Sequence, residues 1–370
     1  MILFLHNRYR TIGGEERVVD DLMWLVRERL GEDAELLERD SRLLGRREAA
    51  AGMLRGGLDP DEVGRAVRRT RARIVHAHNV NPALGWRALA AARDAGARVV
   101  LHLHQYRVVC AVGVCFTEGA DCTRCHGRNT LPGVIHNCRG SRVEAALYAA
   151  ALAGWQRRLI RCVDWFVVPS RFAISRLEAL KAPVLRAHVV PHLVREFAAE
   201  PVAVSGGPAL LAARLASEKG VEVAIAACQI AGVPLVIAGD GPERTRLESL
   251  GGDVRFAGQL DRVELERLRR TASIELAPSR AAETFGLAAA EAMALGLPVA
   301  GSRTGALPEL IPDDWLVRPG DPDALAATIA RLRGDASAGS MAIERARSIA
   351  APEVVAPLLA SVYEGVVGSG

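Results

Sequence analysis

Pro278-Ser279-Arg280-Ala281-Ala282-Glu283-Thr284-Phe285-Gly286 leads to Glu291 and then to Ala294-Leu295-Gly296-Leu297-Pro298-Val299. An apolar run, Ile274–Ala277, precedes this stretch and reads as a strand. Phe285–Leu295 reads as a helix and Pro298–Gly301 as the next strand. Strand, turn, helix and strand in that order are the repeating unit of a parallel sheet covered by helices. Glu283 and Glu291 straddle the helix start. The N–H groups around Phe285, Gly286 and Leu287 are exposed at a helix N-terminus and suit phosphate oxygens. Glu283, just outside the helix, can take hydrogen bonds from sugar hydroxyls, and Glu291, inside it, from a ribose diol. An amphipathic helix with solvent-facing glutamates is the plain alternative. The combination of Glu, Phe-Gly, a second Glu and a Gly-x-Pro strand start favours a ligand site.

Working outward, the same alternation fills the second half. Strands are expected at Ala209–Ala213, Pro234–Ala238 and Val254–Ala257, and helices near Lys219–Ala231, Pro242–Leu250, Asp261–Thr271 and Asp323–Arg333. Arg214 and Lys219 lie five apart across the first strand-to-helix turn and can point into one place. Two cations there suit a diphosphate leaving group. Gly239, in Ala238-Gly239-Asp240-Gly241-Pro242-Glu243, and Gly258 mark two further strand ends. Both are weak phosphate or base signals alone.

The first half alternates too. Strands are expected at Ile2–Leu5, Arg73–His76, Arg98–Leu103 and Asp164–Val168. Helices are expected after Gly13-Gly14 and at Pro82–Ala95, Arg142–Arg161 and Arg171–Leu180. Pro201–Pro208, rich in Pro and Gly, reads as a linker. The organisation is an N-terminal domain over 1–200, a C-terminal domain over 201–350 and a last helix over 351–370 that packs back on the first domain. A chain of 370 residues suits two such α/β domains. Ligands of open parallel sheets bind at the carboxyl ends of the strands, so a cleft between two of them is the expected site.

Composition sets limits. Half the residues are hydrophobic and 24% are charged, as in a soluble globular protein. There is no uncharged apolar run of eighteen residues, so no membrane span is expected, and the start reads as a strand rather than an export signal. A cytoplasmic location follows, with peripheral contact at the inner membrane face as an option. Residues 1–190 hold 30 Lys/Arg against 20 Asp/Glu, and residues 191–370 hold 17 against 23. The basic half can face an anionic partner. Arg65–Arg73 and Trp155–Arg161 could touch anionic lipid, with a solvated face as the alternative. The arginines are not interleaved with aromatics, which disfavours nucleic acid. Of the positive charges only Lys181 and Lys219 are lysines. His76 and His78 flank a strand end, and His78 is expected to line the cleft and His76 to pack. A metal at that pair is disfavoured.

Five of the seven cysteines lie between Cys110 and Cys138 in an insert at about 104–141. Cys122 and Cys125 have zinc-knuckle spacing, and Cys110, Cys122, Cys125 and Cys138 are the expected ligands of a structural zinc. Cys115 or His126 could replace one of them. Free thiols or an oxidised pair are the alternatives. Cys162 and Cys228 read as core residues.

The order Arg214…Lys219, Gly-Asp-Gly-Pro-Glu, Phe-Gly and Glu-x7-Glu resembles the family-4 retaining glycosyltransferases of GT-B fold. The resemblance extends to Gly305 and Pro308-Glu309, to Pro319–Pro322, to the Gly13-Gly14 loop and to Phe166–Ser170. It implies two Rossmann-like domains facing across a cleft and transfer of a hexosyl group from a nucleotide diphosphate sugar to a saccharide or lipid-linked acceptor. It also implies roles. Arg214 and Lys219 neutralise the diphosphate, Glu283 holds the sugar, Glu291 holds the ribose, and His104 sits beside the sugar. Gly13, Gly14, Gly239, Gly258, Phe285, Gly286 and Leu287 approach the donor. No catalytic metal is required. Some members carry a similar cysteine loop. Pro191-His192-Leu193 departs from the family's Pro-Asn-Gly hinge. A sugar-nucleotide epimerase and a non-catalytic binding partner are the rival readings, and nucleotide release with an acceptor separates them from transfer.

Overall fold

The computed structural model describes residues 1–9 and 13–368. In chain order the strands are β1 (Ile2–Arg8), β2 (Ala34–Asp40), β3 (Ile74–Ala77), β4 (Arg98–His102), β5 (Phe116–Thr117), β6 (Ala120–Asp121), β7 (Trp165–Val168) and β8 (Ala187–Val189). They continue as β9 (Ala209–Ala212), β10 (Leu235–Ala238), β11 (Val254–Gly258), β12 (Ile274–Ala277), β13 (Val299–Ser302) and β14 (Leu316–Val317). Two six-stranded sheets result, in the orders β2-β1-β3-β4-β7-β8 and β11-β10-β9-β12-β13-β14, while β5 and β6 form a small ribbon. Among the described residues, the strand pairings of the two large sheets are parallel.

Such strands are covered on both faces, so they read as nearly continuous apolar runs. Leu3, Leu5, Val75 and Val99 enter the N-terminal core, and Leu210, Ile237, Ile274 and Val299 the C-terminal one. In the second sheet, strand order reverses between β9 and β12. In the first it reverses between β1 and β3. Those reversals are the switch points at which open sheets receive ligands.

Two compact units share the chain. One comprises Met1–Thr117, Cys122–Leu193 and the C-terminal helix Pro352–Gly368. The other comprises Glu118–Asp121 and Val194–Ala351. The boundary therefore falls at Leu193/Val194, ahead of residue 201. Pro201–Pro208 is not a free linker. The Val202 and Val204 N–H groups donate to Leu295 and Ala272 carbonyls at 3.1 and 2.9 Å, which ties the segment to the second unit. The tract Ala336–Gly368 is apolar and long enough to cross a membrane by length and composition, but half of its eighteen-residue apolar window is buried within the protein. It consists of two helices, Ala336–Ala350 and Pro352–Gly368.

The insert at 104–141 is not all surface loop. Instead Tyr106, Val108, Val109 and Ala111 are buried in the N-terminal core. The Gln156 amide, on the helix Arg142–Arg161, donates to the Val108 and Gly127 carbonyls at 2.7 and 2.8 Å and ties two parts of the stretch together.

Candidate functional site

In the second unit, the segments after β9 and β12 leave the sheet on either side of its switch point. They carry the residues singled out above. After β9 a short 3-10 turn, Ser217–Lys219, aims the Lys219 ammonium at the Glu283 carboxylate, 2.6 Å away. Ser279 donates to the same carboxylate oxygen at 2.5 Å. Burial pushes the Glu283 carboxyl upward, but the Lys219 charge and both hydrogen bonds outweigh it and hold the group below the usual range. Arg214 pairs with Glu218, a buried residue that sequence reasoning did not single out. The Glu218 carbonyl accepts from the Arg280 and Ala281 N–H groups at 2.9 and 3.1 Å, which stitches the two segments together.

Glycine is required where these segments touch. Gly239, past the end of β10, has φ of 138°, and a Cβ there would lie 1.9 Å from the Ala213 carbonyl oxygen. Gly305 has φ of 61°, and a Cβ would lie 2.2 Å from the Glu283 backbone nitrogen. Gly258, the last residue of β11, accepts from the Gly239 N–H at 2.7 Å.

Gly286 caps the helix Leu287–Ala294, whose first N–H groups have no acceptor within the helix. The Phe285 ring belongs to the hydrophobic core, so its contribution to a ligand is through the backbone. Glu291 is engaged by Arg269 at 2.8 Å. Arg269 also binds Glu275 of β12 at 2.8 and 3.2 Å and the Ala288 carbonyl at 3.0 Å. Arg269 is 3% exposed. Burial alone would lower its pKa, and the two carboxylates raise it instead. This Glu275–Arg269–Glu291 triad fixes the ribose-binding candidate. Its sequence signal was a charge inside the apolar run Ile274-Glu275-Leu276-Ala277.

In the first unit, Gly13 caps the helix Gly14–Glu28, with its N–H donating to Glu16 at 2.9 Å. His104 lies two residues past β4, is 7% exposed, and its Nε2 is 2.8 Å from His78 Nδ1. A cavity beside it is lined by Tyr9, Glu15, His78, Asn79, Gln105 and Arg107, among others. Sequence reasoning missed Glu15. The Tyr9 hydroxyl and the Gln105 amide donate to its carboxylate, and burial raises its pKa. The departing hinge residue, His192, is buried with its ring 5.2 Å from that of His104.

All five thiols of the insert, Cys110, Cys115, Cys122, Cys125 and Cys138, line one small cavity together with His136. His126 does not line it. His126 is held at the surface by its neighbours, with its ring nitrogen 3.0 Å from the Arg124 carbonyl. The Cys115 thiol and backbone N–H groups from Cys115, Gly113 and Val112 bring Cys110 down to about 6 against the burial that opposes them. Such N–H donors around a sulfur stabilise a thiolate, the form that binds metal. Burial and the neighbouring thiols push Cys125 up to about 11. Cys228 is a core residue, and Cys162 packs at the margin of the core.

The two sheets and the strand-end site together define the GT-B class of glycosyltransferase folds. Sucrose-phosphate synthase from Thermosynechococcus elongatus has the same fold, with a TM-score of 0.71 and 19% identity over 100% of this chain and 99% of that one. Anabaena Alr3699/HepE in complex with UDP and glucose aligns with a TM-score of 0.65 and 17% identity, over 98% of this chain and 99% of that one. Within that class, residues 208–335, which lie in the second unit, match the family Glycosyl transferases group 1. The chain is 36% identical over 151 residues to a phosphatidyl-myo-inositol mannosyltransferase of Mycobacterium leprae, covering 37% of this chain and 39% of that protein. It is 44% identical over 103 residues to a GDP-mannose-dependent alpha-(1-6)-phosphatidylinositol dimannoside mannosyltransferase of Mycobacterium tuberculosis, covering 26% of each. The matched region thus spans less than half of either relative.

Proposed function

We propose that this protein is a retaining glycosyltransferase that moves a hexosyl group from a nucleotide diphosphate sugar to a saccharide or lipid-linked acceptor. The observation that carries the reading is the Lys219–Glu283–Ser279 cluster, set beside Arg214 at the switch point of a Glycosyl transferases group 1 domain. Lys219 and Arg214 each pair with a carboxylate. A bound diphosphate competes for both cations and takes up the charge that builds as its bond to the sugar breaks. Glu283, held ionised, accepts hydrogen bonds from sugar hydroxyls. Glu291, steadied by Arg269, accepts from the ribose. The leaving phosphate takes the acceptor proton on the face from which it departs, which retains configuration.

The relatives' names point to GDP-mannose as the first donor to try and to phosphoinositide-type lipids as the first acceptors. A lipid acceptor would bring a cytoplasmic enzyme to the inner face of the membrane. The helix Pro60–Thr70 fits that placement. It buries Val63, Ala66 and Val67 and exposes Arg65, Arg68 and Arg69.

We propose further that four of the insert thiols hold a structural zinc. Five thiols and one imidazole around one cavity are more than enough donors for a tetrahedral site. Zinc would lock the segment; the chemistry of transfer does not pass through it.

The test of function is transfer of labelled sugar from GDP-mannose or a UDP-hexose to a lipid extract, with nucleotide release measured in parallel. One nucleotide released per sugar transferred supports the reading. Donor binding without release, or epimerised donor without transfer, overturns it.

A further inference from the structure

Six of the nine histidines are buried, and all six lie in the first unit: His6, His76, His78, His102, His104 and His192. Four of them come from two His-x-His pairs, His76/His78 and His102/His104. Residues two apart on a strand share a face, and β3 and β4 are neighbours in the sheet. The two pairs therefore stack on one face at the carboxyl ends of these strands. Ring centroids are 4.6 Å apart for His76–His78, 5.1 Å for His78–His102 and 5.5 Å for His76–His102.

The nitrogens within this group divide into two sets. His76 Nδ1 is 2.7 Å from the Tyr363 hydroxyl, and His78 Nδ1 is 2.8 Å from His104 Nε2. His76 Nε2, His78 Nε2 and both nitrogens of His102 have no hydrogen-bond partner in the protein. Each residue of this trio offers a ring nitrogen within 4.8 Å of the others'. A buried polar atom without a partner costs about 1–3 kcal/mol. Four in one place mean that something else satisfies them. A proton relay does not, because the hydrogen-bond chain from Tyr363 stops at His76.

We propose that His76, His78 and His102 form a binding site for a transition-metal ion of the class that favours imidazole, such as Zn²⁺, Ni²⁺ or Cu²⁺. The donor set is three neutral imidazoles, which that class prefers, and it leaves a fourth position open. The outer contacts are those a ligating histidine needs. Tyr363 and His104 hold the far nitrogens of His76 and His78, fixing tautomer and orientation. The rings are stacked, so their in-plane lone pairs converge only after rotation about Cβ–Cγ. That torsion has a broad, shallow profile, and metal–nitrogen bonds of about 2.0–2.1 Å would draw the nitrogens together. The cavity lined by His78 and His102 provides the way in. The site stands on the histidines alone and is independent of the donor-site reading and of the cysteine cavity.

The test uses full-length protein stripped with chelator and titrated with Co²⁺, followed by absorption and by dialysis with elemental analysis. Cobalt on thiolates shows charge-transfer bands in the near ultraviolet, and cobalt on imidazoles alone does not. The expected result is one equivalent with visible d–d bands and no thiolate band in Cys122→Ser/Cys138→Ser, beside any thiolate-bound cobalt of the parent, and its loss in His102→Gln. Should His102→Gln fail to fold, Tyr363→Phe keeps its ring in the core and removes only the hydroxyl beside His76. It should weaken cobalt binding by about tenfold, as loss of an outer partner does. Absence of a thiolate-free equivalent from the parent would overturn the proposal, as would equal binding by parent and a folded His102→Gln, or unaltered affinity in Tyr363→Phe.

Discussion

The two units handle polar groups at their strand ends in opposite ways. The second unit gathers charges and neutralises them in pairs: Lys219 with Glu283, Arg214 with Glu218, and Arg269 with Glu275 and Glu291. The first unit gathers imidazoles and keeps them uncharged by burial, with His76 and His192 both brought down to about 3. Paired ions suit a site that must trade one anion for another. Neutral rings suit a site that holds something by lone pairs. The difference shows that strand ends of equal geometry acquire different chemistry from side-chain type alone.

The comparison breaks most visibly at Arg269. Arg269→Ala strands two carboxylates, and breaking a buried ion pair in this way costs about 3–5 kcal/mol. Denaturant unfolding should report it as a loss of stability of the second unit. A loss under about 1 kcal/mol would mean that water already screens the triad. Next comes Glu283→Ala, expected to lower kcat/KM at least about 30-fold, or about 2 kcal/mol of transition-state stabilisation. An effect within about threefold, under 1 kcal/mol, would remove Glu283 from the donor role.

Gly305→Ala should combine both effects at smaller size. Its Cβ meets the backbone of Glu283, so stability falls by about 1–3 kcal/mol and transfer falls with it. Full activity in a destabilised variant would separate the turn from the site.

The pH response of Glu283 sharpens the contrast. Its carboxyl is held low in the parent, so its contribution to stability is complete above the unfolded value of about 4.3 and is lost as pH falls below that. In Lys219→Met, burial is opposed only by the Ser279 hydrogen bond and raises the carboxyl. The contribution then reverses: it is present at low pH and lost as pH rises through the raised value. Urea midpoints across that range in both proteins read the sign directly, and the same slope in both would show that Lys219 does not govern the group.

The smallest effect is expected from Arg65→Ser/Arg68→Ser/Arg69→Ser. Stability should move within about 0.5 kcal/mol, while binding to anionic vesicles should weaken by about 1 kcal/mol per charge removed. Unaltered vesicle binding would detach this helix from any membrane role.

Much of this was legible in advance. Ile274–Ala277 and Arg142–Arg161 were read to the residue, because an apolar strand run and a long 3.6-residue pattern are the strongest periodic signals. Strand β2 was missed because Glu35, Glu38, Arg39 and Asp40 make an edge strand look like a loop. The helices Arg46–Arg55 and Ala336–Ala350 were missed for lack of strong apolar stripes. At the site, the residue types of Arg214, Lys219, Glu283 and Glu291 were visible, but their partners were not. The Lys219–Glu283 contact spans 64 positions, and spacing says nothing about which ions meet. The histidine face had a readable sign, two His-x-His pairs on successive strands, whose meaning depends on those strands being adjacent.

The chain leaves the first unit at Leu193 and returns to it at Pro352. On the ribosome, the second unit is therefore finished while the first still lacks Val355, Leu359, Val362 and Val366, all buried in the complete molecule. At about 5–20 residues per second, synthesis of the intervening Val194–Ala351 takes roughly ten to thirty seconds. Throughout it His76 waits for Tyr363, the hydroxyl that will hold its ring. The nascent first unit lacks the helix that supplies this hydroxyl, and the last helix completes it.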